Sequence, residues 1–110
     1  MNVNFVENVN KDKDNRVEFL FINFDFFDGN DLIAKILREE CGVDVGEKVD
    51  GMFYSIIPLY YKQNEYKMMW HEDVGNYIYS ENQEQEAIKT MREIVGIAVN
   101  ELNRRISERD

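Results

Sequence analysis

The chain has 110 residues, with 13 Lys and Arg against 22 Asp and Glu, which gives a net charge of −9 with histidine neutral. This length fits one domain with a single core, and the 44% hydrophobic content excludes a disordered or collagen-like chain. The single cysteine excludes an internal disulfide framework and a zinc site built on cysteines. The acidic balance disfavours direct binding to nucleic-acid phosphates.

The sequence has no segment with the pattern of a membrane span or a secretory signal. The longest uncharged run, residues 51–61, is too short to cross a bilayer, and the N-terminal residues are polar and acidic. We therefore expect a cytoplasmic protein that contacts neither a membrane nor nucleic acid directly.

The beginning of the chain predicts a β-hairpin. Val17–Phe24 is rich in β-branched and aromatic residues, and apolar side chains would point to both faces of this strand. This pattern is typical of a central strand covered on both faces. Val3–Val9 has a weaker strand pattern, and the polar segment Asn10–Arg16 between them is typical of a turn. These two strands are the first elements that we expect.

A short helix follows over Leu32–Cys41, where apolar residues recur at nearly helical spacing. The segment Asp28–Asp31 supplies candidates for its N-cap, and Gly42 suits its C-terminal cap. The glycine-containing stretch Val43–Gly51 that comes next predicts a loop.

The middle of the chain predicts a three-stranded antiparallel meander, with strands over Met52–Tyr61, Glu65–His71 and Tyr77–Tyr79. The turns between them are short and polar. Pro58 has no N–H to donate to a neighbouring strand, which predicts an edge position or a bulge at that residue.

A long helix closes the chain. Ser80–Gln83 has capping-box spacing, and Gly96 in the helix interior predicts close packing there or a slight bend. The expected fold is one α+β domain over residues 1–110, in the order ββαβββα, with a mostly antiparallel sheet packed by one short and one long helix. The apolar stripe of the long helix is Ala87 or Ile88, Met91, Val95, Ala98, Leu102 and Ile106.

The negative charge is concentrated in two segments. Residues 25–50 hold eight acids against three bases, and residues 72–86 hold five acids and no base, so each segment has a net charge of −5. If the fold brings them together, they form one acidic face that attracts and orients a basic partner; a surface that only keeps the protein soluble is the alternative. The carboxylates expected to bind the partner are Asp25, Asp28, Asp31, Glu39, Glu40, Asp44, Glu47, Asp50, Glu72, Asp73, Glu81 and Glu84.

Large amphipathic residues accumulate in the predicted meander, where Tyr and Trp occupy seven positions between residues 54 and 79. Most of such a set serves core and cross-strand packing, but these residue types are also enriched at the centres of protein interfaces. We expect Trp70, Tyr77 and Tyr79, which border the second acidic segment, to take part in partner binding.

Residues that could carry chemistry are few, and each has a structural explanation. Glu72 follows His71 directly, but adjacent strand residues point to opposite faces, so this carboxylate is badly placed to orient the imidazole. Cys41 lies on the apolar stripe of the first helix and fits a small core residue. Residues 25–31 lack the alternating acidic ligands of a calcium loop. We therefore predict neither an enzyme nor a bound metal or cofactor.

One enzymatic alternative stays open. Asp50 is followed by Glu65-Tyr66-Lys67, and this arrangement resembles the signature of metal-dependent nucleases with the restriction-endonuclease-like fold. The resemblance implies carboxylates that hold Mg²⁺ and a lysine that stabilises the transition state. The tripeptide is unspecific, and the net charge of −9 disfavours a DNA substrate.

A small, acidic α+β chain with a tyrosine-rich meander and no catalytic constellation resembles the immunity proteins of bacterial toxin systems. These include the immunity proteins of contact-dependent growth inhibition and of related polymorphic toxins. The resemblance covers the whole chain in general character and carries no residue motif. It implies a protein that binds and neutralises one cognate toxin domain, commonly a nuclease with a basic active-site cleft.

Two other binding functions are alternatives. An acidic nucleic-acid mimic would use the same carboxylates against a DNA-binding protein, and regular spacing along one face would favour it. A secretion chaperone would have an exposed apolar groove and would form a dimer. The stripe of the long helix has enough apolar surface for either a core or a dimer interface, so the sequence leaves monomer and homodimer both open.

Overall fold

Within residues 2–109, which the computed structural model describes, seven strands form one antiparallel sheet with two helices. The order across the sheet is β1-β2-β7-β6-β5-β3, and β4 pairs with the same edge of β5 as β3 does. The strands are β1 (Asn4–Asn10), β2 (Arg16–Ile22), β3 (Asp44–Val45), β4 (Val49–Asp50), β5 (Tyr54–Tyr61), β6 (Asn64–His71) and β7 (Gly75–Ser80). The helices are α1 (Gly29–Cys41) and α2 (Gln85–Arg109).

The pairing of β2 with β7 joins the N-terminal hairpin to the meander. Phe19 of β2 lies opposite Ile78 of β7, and neither side chain is exposed to solvent. The connection between these neighbours in the sheet contains α1 and the strands β3 to β6. One sheet therefore includes segments from both halves of the sequence, and residues 2–109 fold as a single compact domain.

Both helices cover the same face of the sheet. α1 packs over β5 and β6, α2 packs over β1, β2 and β7, and the two helices contact each other. The Tyr66 hydroxyl, on a fully buried side chain, donates to the Ala87 carbonyl at 3.2 Å and ties the sheet to the start of α2. Most of the predicted α2 stripe lies in the core: Ala87, Met91, Val95, Ala98 and Leu102 are buried, as are Ile94 and Val99, whereas Ile106 is half-buried.

The opposite face of the sheet is free of helices. Leu20, Tyr77 and Met69 are cross-strand neighbours at its centre, and the same row continues to Val6 and Ile56. Leu20 is only half-buried, so the expectation that β2 is covered on both faces is wrong. The reason is that both helices pack against the same face of the sheet. The side chains that point to the other face therefore form an outer surface of the molecule.

The predicted fold class is confirmed, and the two largest differences are at element boundaries. α1 begins at Gly29 instead of Leu32, because the polar residues before the apolar stripe also adopt helical geometry. The stretch Val43–Gly51, expected to be a loop, contains the two short strands β3 and β4. These strands are too short for their residue pattern to be visible in the sequence.

Pro58 lies opposite a bulge, as its missing N–H predicts. Its carbonyl accepts from the Gly46 N–H at 2.8 Å, so its nitrogen points to the same side, toward the gap between β3 and β4. The register shifts by one residue across this gap, from Val45 opposite Leu59 to Val49 opposite Ile56. The extra residue therefore lies between β3 and β4, opposite Pro58, where β5 has no backbone N–H to donate.

The capping box predicted at Ser80 is wrong. Ser80 is the last residue of β7 and pairs with Tyr66, and α2 begins only at Gln85. The Gln83 amide instead donates to the Ser80 carbonyl at 2.6 Å and accepts from the Val17 N–H at 2.7 Å. Ser80 therefore belongs to the sheet, although its spacing to Gln83 is typical of a helix start.

Close packing, one of the two expectations for Gly96, is wrong. No neighbouring atom lies within 4 Å of the position that a Cβ would occupy there. By contrast, Gly42 adopts φ of +74° at the C-cap of α1, where its N–H bonds to the carbonyls of the last turn.

We expect Gly96→Ala to stabilise the protein by about 1 kcal/mol, because alanine restricts the unfolded chain and meets no neighbour in the helix. Gly42→Ala is the matched control and should destabilise by about 1 kcal/mol, since alanine disfavours left-handed geometry. Chemical denaturation of both variants measures the free energy of unfolding. A loss of stability in Gly96→Ala would contradict the open surroundings of that position.

Candidate functional site

One end of the sheet gathers three connections, and we call it the loop end. The connections are residues 23–28 between β2 and α1, residues 51–53 between β4 and β5, and residues 72–74 between β6 and β7. Tyr54, His71 and Gly75 are side by side in the register of β5, β6 and β7. The Glu72 N–H donates to the Phe53 carbonyl at 2.9 Å and links two of the connections.

Side chains from the sheet hold the backbone of residues 24–26. The amide of buried Asn76 donates to the Phe24 carbonyl at 2.9 Å and to the Phe26 carbonyl at 3.1 Å. The Trp70 indole N–H donates to the carbonyl between them, that of Asp25, at 3.2 Å. Three consecutive carbonyls thus have fixed protein donors, so the loop is held in one orientation.

Gly75 allows this loop to lie close to the start of β7. Its φ of +90° disfavours residues with a side chain, and an added Cβ would lie 2.8 Å from the Asp25 Cβ. A larger residue at this position would therefore push the loop away from the sheet.

The loop end presents large apolar side chains to solvent, and we call them the apolar patch: Phe26, Phe27, Met52, Phe53 and Val74. They are between 48% and 86% exposed. Phe27 meets Trp70 edge to face, with ring centroids 5.0 Å apart, and Phe26 meets buried Phe24 in the same way at 5.1 Å. Exposed apolar groups collected in one region with a polar rim mark interaction surfaces.

Carboxylates surround the apolar patch on two of these connections, residues 23–28 and 72–74, and at the adjoining ends of α1 and β4. They are Asp25, Asp28, Asp31, Asp50, Glu72 and Asp73, and all six residues are exposed. Among the residues that the structure describes, Lys48 is the one cation in ion-pair contact with any of them. Its ammonium lies 2.8 Å from Asp31 and 3.9 Å from Asp50. The rim therefore has a large excess of negative charge.

The other predicted carboxylates lie elsewhere. β7 separates Glu72 and Asp73 from Glu81 and Glu84, a distance of about 20 Å for six residues of strand. The second acidic segment is therefore divided between the two ends of the sheet. Four further acids lie away from the loop end: Glu39 and Glu40 near the end of α1, Asp44 opposite Tyr60, and Glu47 between β3 and β4.

The three predicted aromatic residues also separate. Trp70 is half-buried beneath Phe27 at the loop end, whereas Tyr77 and Tyr79 lie on the helix-free face. The Arg16 guanidinium lies 3.6 Å from the centroid of the Tyr79 ring. Burial raises the pKa of both tyrosine hydroxyls, so they are neutral at physiological pH. Trp70 alone of the three supports the apolar patch.

Sequence reasoning missed the five members of the apolar patch. Met52 and Phe53 belong to the predicted strand Met52–Tyr61, and the sequence predicts no role for Phe26 and Phe27. The available signal was the pair of adjacent phenylalanines between Asp25 and Asp28, because apolar rings in a polar turn have no core position of their own.

The fold separates the residues of the nuclease alternative. Asp50 is opposite Ser55 and Glu65 is opposite Tyr60, so the two carboxylates are about 17 Å apart along β5. Lys67 forms an ion pair with Glu65. Within residues 2–109, no group of three or more His, Cys, Asp or Glu side chains is placed to hold a metal ion.

Cys41 and His71 lie at opposite ends of the molecule. Burial and the charge of Glu40 raise the pKa of the Cys41 thiol, so it is protonated at neutral pH and is a poor nucleophile. The His71 Nδ1 accepts from the Asp73 N–H at 3.0 Å and so shapes the turn between β6 and β7. Both residues thus have structural roles in this fold.

No protein-family model, curated protein or solved structure matches this chain. In the part of the chain that the structure describes, neither helix is both long enough and apolar enough to cross a membrane. The chemistry of the loop end is therefore the basis for assigning a function.

We expect Asn76→Ala to destabilise the protein by about 1–3 kcal/mol, because the Phe24 and Phe26 carbonyls lose a buried donor. Amide hydrogen exchange in residues 23–28 should rise more than exchange in β6. Asn100→Ala, at an exposed position of α2, is the control and should change stability by less than about 0.5 kcal/mol. Unchanged exchange in residues 23–28 of the Asn76 variant would show that the amide does not hold the loop.

Proposed function

We propose that this protein binds and neutralises a basic toxin domain through its loop end, as an immunity protein does. The observation that carries the proposal is the apolar patch, framed by six carboxylates and built on a backbone held by Asn76 and Trp70. The partner is a protein domain with a positively charged cleft, and binding takes place in the cytoplasm. The protein itself supplies no catalytic group or cofactor.

The two kinds of residue have different physical roles in this proposal. Burial of the exposed rings supplies affinity and slows dissociation, since large apolar anchors dominate the binding energy of interfaces. The carboxylates attract a cationic partner from a distance and speed association, and they pair with its basic side chains. A loop that is ordered before binding lowers the entropy lost on complex formation.

Two alternatives are less well supported by this arrangement. A nucleic-acid mimic would distribute carboxylates along a surface, whereas six of them here surround apolar residues at one end. A metal-dependent nuclease would need Asp50 and Glu65 together, and β5 separates them. A secretion chaperone shares the exposed apolar surface, so the identity of the partner distinguishes it from an immunity protein.

The experiment that tests the proposal is affinity capture from the host lysate at low and high salt, followed by reconstitution with the purified partner. We expect one basic partner at equal stoichiometry, released by salt, whose toxic activity is lost in the complex. Retention of a secreted effector with unchanged activity would favour the chaperone. Absence of any stoichiometric partner at low salt would contradict every binding function considered.

Charge reversal at the loop end should slow association with the captured partner. We expect Glu72→Lys with Asp73→Lys to reduce the association rate about tenfold or more at low salt, because steering depends on charge near the contact surface. Glu81→Lys with Glu84→Lys changes the net charge equally at the other end of β7 and is the control. Stopped-flow binding across a salt series measures both. An equal effect of the two double variants would place the contact elsewhere.

Truncation of an exposed ring should act on dissociation instead. We expect Phe53→Ala to weaken the complex by about 1–4 kcal/mol, mainly through faster dissociation, with little change in the stability of the free protein. Ile97→Ala removes an exposed apolar side chain from α2 and should leave affinity unchanged. Surface plasmon resonance measures both rates, and wild-type dissociation by the Phe53 variant would exclude this ring from the interface.

A further inference from the structure

A cleft of about 550 Å³ opens beside the apolar patch. It lies between the connection of β2 to α1, the first turn of α1 and the C-terminal part of α2. Its walls are apolar and are formed by Phe24, Phe26, Leu32, Leu102 and Ile106. A volume of this size is in the range of pockets that take a small ligand or inserted side chains of a partner.

Two charged side chains line the cleft, the carboxylate of Asp28 and the guanidinium of Arg105. Asp28 occupies the N-cap position of α1, yet its side chain makes no hydrogen bond to the helix. Among the residues that the structure describes, no cation forms an ion pair with Asp28. The carboxylate is therefore available to a ligand, because it serves neither the helix end nor a salt bridge.

The one cation that lines the cleft, Arg105, is already neutralised. Its guanidinium donates to Glu101 at 3.0 Å and to Glu39 at 3.4 Å. Arg104 shares Glu101 and also pairs with Glu108, so two guanidinium groups face three carboxylates in this network. Of the two charged side chains that line the cleft, Asp28 is therefore the one without a charged partner among the described residues.

We infer that the cleft receives an arginine side chain of the partner, whose methylene groups lie against Leu32 and Ile106 and whose guanidinium pairs with Asp28. The inference rests on the proposed function and names the residue type that enters beside the apolar patch. The cleft is larger than one arginine side chain, so an apolar neighbour in the partner enters with it. The exposed face of the Phe26 ring offers the guanidinium a stacking surface.

Other occupants fit these groups less well. A purely apolar ligand would bury Asp28 without a partner, and the loss of its hydration opposes binding. An anionic ligand would meet the unpaired Asp28 carboxylate, whereas the Arg105 guanidinium is already engaged by Glu101 and Glu39. A guanidinium on an apolar stem satisfies both the walls and the carboxylate, and arginine is among the residues that most often dominate interfaces.

A matched pair of small probes tests the cleft without the partner. n-Butylguanidinium and the neutral n-butylurea have nearly the same shape, and each is titrated into ¹⁵N-labelled protein while amide shifts are followed by NMR. We expect saturable shifts in residues 24–32 and 102–106 with both probes. The guanidinium should bind about two- to five-fold more tightly, the gain expected for an exposed ion pair.

Two variants assign that gain to Asp28. Asp28→Asn keeps a favourable N-cap residue, so it should fold normally and reduce n-butylguanidinium affinity to that of n-butylurea. Asp44→Asn is the control, because exposed Asp44 lies opposite Tyr60 in β3 and does not line the cleft; it should leave both affinities unchanged. Equal affinity of the two probes for the wild-type protein, or shifts outside the cleft only, would overturn the inference, as would unchanged binding in Asp28→Asn.

This outcome is separable from that of the proposed function. Selective binding of n-butylguanidinium supports the cleft assignment even where no toxin is neutralised. Conversely, a neutralised partner whose affinity depends on Phe53 but is unaffected by Asp28→Asn would leave the proposed function intact and overturn the arginine site.

Discussion

The pairing of β2 with β7 is the contact on which the rest of the structure depends. It closes the longest connection of the sheet, and its central residues, Phe19 and Ile78, are both without solvent exposure beneath the helices. It also aligns the end of β2 with the start of β7. Asn76 can reach the carbonyls of Phe24 and Phe26 only because these strands are neighbours. The loop that presents the exposed rings is therefore ordered by a contact between residues far apart in the sequence.

The two-layer arrangement gives the molecule surfaces of different character. On the helix-free face, Arg16 pairs with Glu18 and Lys67 pairs with Glu65, so the charges of these strands cancel locally. At the loop end, carboxylates outnumber their one ion-pairing lysine among the described residues. The net charge of −9 is thus distributed unevenly, and six carboxylates against one paired lysine lie near exposed apolar groups at the loop end. Such an arrangement suits binding of a cationic partner at the loop end.

Local sequence patterns identified most elements because each depends on residue types a few positions apart. The α2 stripe and the main strands followed from periodicities of 3.6 and 2 residues, and the bulge followed from the missing donor of Pro58. Where two patterns competed, tertiary pairing decided: Ser80 has the spacing of a capping box but pairs with Tyr66. Six of the predicted binding carboxylates share the loop end: Asp25, Asp28, Asp31, Asp50, Glu72 and Asp73. Glu81 and Glu84 do not, because sequence distance does not report the direction of β7.

The sequence by itself determined the fold class, the acidic character and the absence of a recognisable catalytic motif, since these follow from composition and short-range spacing. Only the tertiary structure decided which carboxylates share a surface and which rings are exposed. Phe21 and Phe27 show the reason: both are phenylalanines of neighbouring segments, yet one is 4% and the other 58% exposed. Their burial depends on where the helices pack and on how Asn76 holds the loop, through hydrogen bonds between residues 52 and 50 positions apart.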